Sequence, residues 1–272
     1  MTRPAALKLL FNAVGILIGL VLVGYILYSG FARETKASCR SSYPSTTRLS
    51  MRNAQGKLLS PIELQARAGF NEWGTLNNAE VVPQGTDGEA LKVKLATLTD
   101  IAGGEERTTN GIHFNWKFAP LGDATSACLS YAVWLPKDFA FAAGGVLPGF
   151  IGGTASATTR FATRVRWETN GKVVLDAALP GAGFRPTSLA RAPLTRGQWT
   201  YIDQEVVLNT PGKADGVVRM WVDGEEAGER TKLVLRKEAA ARFLGVRVDV
   251  GYLRNPAKTG ELRISPFQFS WR

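Results

Sequence analysis

The sequence predicts an all-β fold, a sandwich or jelly roll, behind a single N-terminal transmembrane helix. Three observations predict it. Short runs rich in Val, Thr, Phe and Trp alternate apolar with polar residues, the period of a half-buried strand. Turn pairs separate the runs: Asn170-Gly171, Pro211-Gly212, Asp215-Gly216, Asp223-Gly224, Asn255-Pro256 and Thr259-Gly260. Many strands at such spacing, with no long helices between them, build sandwiches and jelly rolls. The one long unbroken apolar run, residues 9–31, stands outside this pattern.

That run reads LLFNAVGILIGLVLVGYILYSGF and carries no charge. As a helix it is long enough for a hydrocarbon core of about 30 Å. It exceeds the roughly 7–15 residues of a signal-peptide core. Ser29-Gly30-Phe31-Ala32 is also a poor cleavage site. Residues 1–32 are therefore expected to be an uncleaved anchor, 33–50 a linker rich in Ser, Thr and Arg, and 51–272 one domain. Arg3 and Lys8 precede the run, and Arg33, Lys36 and Arg40 follow it, so the basic-residue bias does not set the orientation. The short N-terminus and the large C-terminal part favour an inner-membrane anchor with the domain periplasmic or otherwise extracytoplasmic. In that oxidising compartment Cys39 and Cys128 are able to pair; two free thiols are the alternative. Gly15 and Gly19, four apart, would let two such helices pack closely into a homodimer.

Inside the domain, Pro61 to Ala68 reads as one short helix, with Ser60 as N-cap and Glu63 closing a capping box. Strands are expected over Ala90–Ala96, Cys128–Leu135, Arg160–Glu168, Lys172–Ala178, Trp199–Asn209, Val217–Asp223, Thr231–Leu235, Gly245–Val250 and Glu261–Phe269. In GIHFNWKF, Ile112, Phe114 and Trp116 take one face, and His113, Asn115 and Lys117 the other. Leu129 to Gly153 joins a strand to a glycine-rich turn, where glycine admits close backbone approach.

The net charge of +10 suits a polyanionic partner. Nucleic acid is disfavoured, because the chain lacks a recognition helix, RNP aromatics and a dense lysine cluster. One histidine and no CxxC or HExxH spacing argue against a zinc site, and no metal or other cofactor is expected. No G-x-S-x-G elbow is present. Asp203 and Glu205 stand without the third acid of a jelly-roll glycoside hydrolase. Trp116, Trp134 and Trp221 are candidates for sugar stacking, with core packing expected for at least two. The sharpest local pattern is TTRFATRVRWE, residues 158–168. Alternation puts Phe161, Thr163, Val165 and Trp167 in the core, and Arg160, Ala162, Arg164, Arg166 and Glu168 outside. Guanidiniums at roughly 7 Å intervals match a chain bearing one carboxylate per sugar. The alternative is a face neutralised by acids such as Asp203 and Glu205 on Trp199–Asn209.

The order of Tyr131, Val133, Pro136, Phe139, Gly144-Gly145 and Leu147-Pro148-Gly149 resembles polysaccharide lyase family fourteen, the alginate and glucuronan lyases. FATRVRW at 161–167 and GQWTYIDQEVVLNTPGKADGVVRMWVDG at 197–224 continue the resemblance. It implies a β-jelly roll, a concanavalin-like sandwich with a concave substrate groove. It also implies a loop lysine, a serine two residues before an arginine, and a Tyr-x-Tyr pair. Those positions hold Val146, Ala162, Arg164, Val174 and Asp176, so only the arginine matches. The expected function is membrane-anchored binding of an acidic polysaccharide, within a polysaccharide synthesis or export system. The expected contacts are Arg160, Arg164, Arg166, Lys172 and Tyr201. One alternative is a lyase with a relocated base, for which His113, Arg164, Asp176 and Tyr201 are the catalytic candidates. A further alternative is a structural subunit that binds a protein partner.

Overall fold

The computed structural model describes residues 14–23, 38–67, 72–84, 88–95, 110–154, 156–186, 192–254 and 259–272. The chain divides into two compact units, Met1–Lys36 and Ala37–Arg272. In the first, residues 14–23 are helical and exposed. The rest of the expected span, 9–31, lies outside the described residues. No helix among the described residues is long and apolar enough to cross a membrane.

The second unit is a sandwich of two antiparallel sheets. Its strands, in chain order, are β1 (Ser45–Arg48), β2 (Glu72–Trp73), β3 (Ala79–Val82), β4 (Ala90–Leu95), β5 (Ile112–Lys117), β6 (Ser126–Trp134), β7 (Gly145–Leu147), β8 (Gly149–Gly153) and β9 (Phe161–Trp167). They continue with β10 (Lys172–Ala178), β11 (Phe184–Pro186), β12 (Ala192–Pro193), β13 (Trp199–Val207), β14 (Gly216–Val222), β15 (Glu225–Leu233), β16 (Arg242–Tyr252), β17 (Gly260–Ile264) and β18 (Gln268–Trp271). The back sheet runs β15-β14-β13-β6-β17-β4-β3, with β18 also on β6 and β1 beyond it. The front sheet runs β11-β10-β9-β7-β16-β5-β2, with β8 between β16 and β9 and β12 on β10.

Alternation fills the core between the sheets. Phe114, Phe150, Phe161, Val165, Trp167 and Phe243 point inward from the front sheet. Leu129, Tyr131, Ile202, Val206 and Phe269 meet them from the back. Thr163 Oγ1 donates to Gln204 Oε1 across the layers at 3.0 Å and accepts from the Phe150 amide at 2.8 Å. Partners on both sides make these buried polar groups affordable. The expected glycine-rich turn is two short strands, β7 and β8. A Cβ on Gly145 would lie 1.9 Å from the Trp167 ring, so only glycine fits there.

The helix α1 (Pro61–Arg67) begins with the predicted capping box. The Ser60 amide donates to Glu63 at 2.8 Å, and the Glu63 amide donates to Ser60 Oγ at 3.3 Å. The expected linker over 33–50 needs correction. From Ser38 onward this segment is part of the fold: β1 pairs β18, and Cys39 is disulfide-bonded to Cys128 on β6. Ser38 and Arg40 donate to the buried Asp203, and Tyr43 donates to Glu205 at 2.6 Å. The expected strand over Glu261–Phe269 is two strands, broken around Pro266.

Candidate functional site

The outward face of the front sheet gathers most of the predicted residues. On β9 and β10 the register sets Arg164 opposite Asp176 and Arg166 opposite Val174. Asp176 is buried, and its Oδ2 takes Arg164 Nε at 3.3 Å and Arg166 Nε at 3.1 Å. Arg166 also reaches Glu168 at 3.4 Å. The Arg164 guanidinium lies 4.1 Å from the centre of the Phe184 ring, supplied by β11. Two arginines and two acids cancel, so this row has no free charge for a polyanion. The neutralising acid is Asp176, not Asp203 or Glu205. Those two stand on β13 in the back sheet, where they hold Ser38, Arg40, Tyr43 and Arg219.

Toward β5 and β16 the same face opens into a cleft of about 450 Å³, lined among others by His113, Asn115, Arg160, Ala162, Phe184 and Arg247. Register pairs His113 with Asp249 and Asn115 with Arg247. His113 Nδ1 lies 3.7 Å from Asp249 Oδ1, and Arg247 Nη2 lies 3.1 Å from Asp249 Oδ2. On the other side the Trp73 ring of β2 stacks on the imidazole, centroids 5.7 Å apart. Burial pushes the Asp249 carboxyl up, but His113 and the Arg247 charge outweigh it and hold the group below its usual range. Arg160 has no ion-pair partner among the described residues. Asn115 Oδ1 is buried without a hydrogen-bond partner among the described residues.

Two expected contacts lie elsewhere. Tyr201 is on β13, exposed on the back sheet's outer face, beneath the Arg40 guanidinium. The sequence gives its strand and facing but not its sheet. Lys172 is exposed at the start of β10, on the front face but outside the cleft lining. Of the tryptophans, Trp116 is in the core, Trp221 is buried beside the disulfide, and Trp134 is half-buried under Arg263. Arg247, Asp249 and Trp73 were not expected at the site. The signal for two of them is the alternation Val246-Arg247-Val248-Asp249-Val250, which exposes both charges on one face. A larger hollow, about 600 Å³, lies near Lys94, Asp138 and Glu261. Its described charges are net negative, which does not suit a polyanion. No group of His, Cys, Asp and Glu among the described residues is arranged to hold a metal ion.

The model of one family, polysaccharide lyase 14, matches residues 83–252, more than half of the chain. The chain belongs to the polysaccharide lyase 14 family. No curated protein sequence matches it. Among solved structures it is similar to the alginate lyase of Aplysia kurodai, 19% identical over 74% of this chain and 90% of that one, with TM-score 0.61. The alginate lyase of Chlorella virus is 16% identical over 78% and 97%, with TM-score 0.59. The endo-β-1,4-glucuronan lyase of Trichoderma reesei is 12% identical over 87% and 94%, with TM-score 0.53. At these identities the likeness is one of fold. In this polysaccharide lyase 14 member, Val146, Ala162, Arg164, Val174 and Asp176 all fall on the outward face of the front sheet.

Proposed function

We propose that the chain binds a uronic-acid polysaccharide along the front face, with Arg160 in the cleft meeting its carboxylates. The carrying observation is the difference in charge balance on that face. Arg164 and Arg166 are cancelled by Asp176 and Glu168, whereas Arg160 lines the cleft with no ion-pair partner among the described residues. Guanidinium binds carboxylate through a fixed fork of donors. The alginate and glucuronan lyases of similar fold support a uronate as the sugar. The apolar run 9–31 supports a membrane anchor, and the Cys39–Cys128 disulfide supports an oxidising compartment for the domain.

The test is titration of the full-length chain, in detergent, with alginate, glucuronan and hyaluronan. Salt-sensitive binding of at least one is expected, weakened by Arg160→Ala. Binding that ignores both salt and Arg160 would sink the reading and favour a protein partner. Cleavage is the second reading, and the His113–Asp249 contact specifically favours it.

A further inference from the structure

We propose that His113 is the proton acceptor of a lyase centre, positioned by Asp249, that cuts chains of 1,4-linked D-glucuronate or D-mannuronate by syn elimination. This rests on the binding of a uronate in the cleft.

His113 is the chain's one histidine, and its ring is fixed on two sides. Trp73 stacks on one face, and Asp249 meets Nδ1. That leaves Nε2 as the nitrogen toward the cleft. A carboxylate beside Nδ1 selects the tautomer with Nε2 free and stabilises the imidazolium formed when it takes a proton. The separation of 3.7 Å is longer than a hydrogen bond. Such contacts commonly tighten once substrate is in place.

The groups facing His113 are Asp249 and Arg247 on β16, Trp73 on β2, and Arg160 across the cleft. Arg247 keeps Asp249 ionised, and Arg160 is free to neutralise the substrate carboxylate. Neutralisation makes the hydrogen on the adjacent carbon, C5, more acidic. His113 Nε2 takes that proton, and the C5–H electrons form the C4=C5 double bond. The C4–O4 bond breaks, and the imidazolium returns the proton to the leaving O4. No water, oxidant or metal enters the balance. A single imidazole works from one side of the ring. It therefore needs H5 and O4 on the same side, as in D-glucuronate and D-mannuronate, and not in L-guluronate.

The experiment follows the ultraviolet absorbance of the unsaturated terminus, using the full-length chain with glucuronan, polymannuronate and polyguluronate. The first two are expected to be cut and the third to be spared. His113→Gln lowers turnover about 100-fold or more while binding stays within about twofold, the range for losing a general base alone. Asp249→Asn lowers kcat with KM unchanged and moves the acid limb of the pH profile to lower pH, because the imidazolium loses its carboxylate. A merely structural Asp249 would not move that limb. Binding without cutting between about pH 5 and 9 overturns this proposal and leaves the binding reading intact. Absence of binding overturns both. Turnover that survives His113→Gln, or equal cutting of polyguluronate, also overturns it.

Discussion

Two regions of one sheet face use the same residue types and reach opposite results. On β9 and β10, Asp176 takes two guanidiniums, Glu168 shares one of them, and Phe184 covers Arg164. On β5 and β16, Asp249 holds Arg247 and His113, while Arg160 opposite has no ion-pair partner among the described residues. A row of arginines is therefore not in itself a surface for polyanions. What decides is whether a carboxylate on the same or the neighbouring strand lies within reach of each cation.

The largest expected effect tests the neutralised row. Asp176 is buried, and Arg164 and Arg166 are its cation partners. Removing one member of a buried ion cluster leaves charge uncompensated, and Asp176→Ala is expected to cost about 3–5 kcal/mol in denaturant unfolding. The released guanidiniums should also raise affinity for polyuronates. Unchanged stability together with unchanged affinity would erase the contrast between the regions.

Next in size is a comparison of single arginines. A charge-assisted contact is worth about 1.5–3 kcal/mol, so Arg160→Ala should weaken polyuronate binding about tenfold or more. Arg164→Ala should change it less than about twofold, since Arg166 still holds Asp176 and no free cation is lost. Titration calorimetry at one ionic strength reads both. Equal losses would mean that the row opens when substrate arrives.

The sequence shows strands well where both faces differ in polarity. Lys172–Ala178 was expected with its observed ends, and the capping box at Ser60 is purely local chemistry. It fails where structure depends on distant partners. Ser45–Arg48 reads as linker because its strand exists only through pairing with Gln268–Trp271. Glu225–Leu233 reads EEAGERTKL, an edge strand with little apolar alternation, and only its last residues were expected as strand. The site divides the same way. His113 and Arg160 are legible as polar-face residues. Their relation to Asp249 and Arg247 needs the β5–β16 register, and the misplacement of Tyr201 needs knowledge of which sheet β13 joins.

The smallest expected effect reads the Asp249 carboxylate of the cleft by pH. Asp249 titrates below its usual range because His113 and Arg247 outweigh the penalty of burial. A folded-state value depressed in this way contributes stability above the unfolded value of about 3.9 and loses it as pH falls through the folded value. The wild-type chain should therefore lose thermal stability below about pH 4. Glu63, Glu72, Glu80 and Asp215 are also held low and contribute to the same slope. The diagnostic quantity is thus the difference between wild type and Asp249→Asn, which should have a shallower acid slope. If the two slopes coincide, His113 and Arg247 do not lower the Asp249 carboxyl, and the assignment of that carboxylate to the cation pair fails.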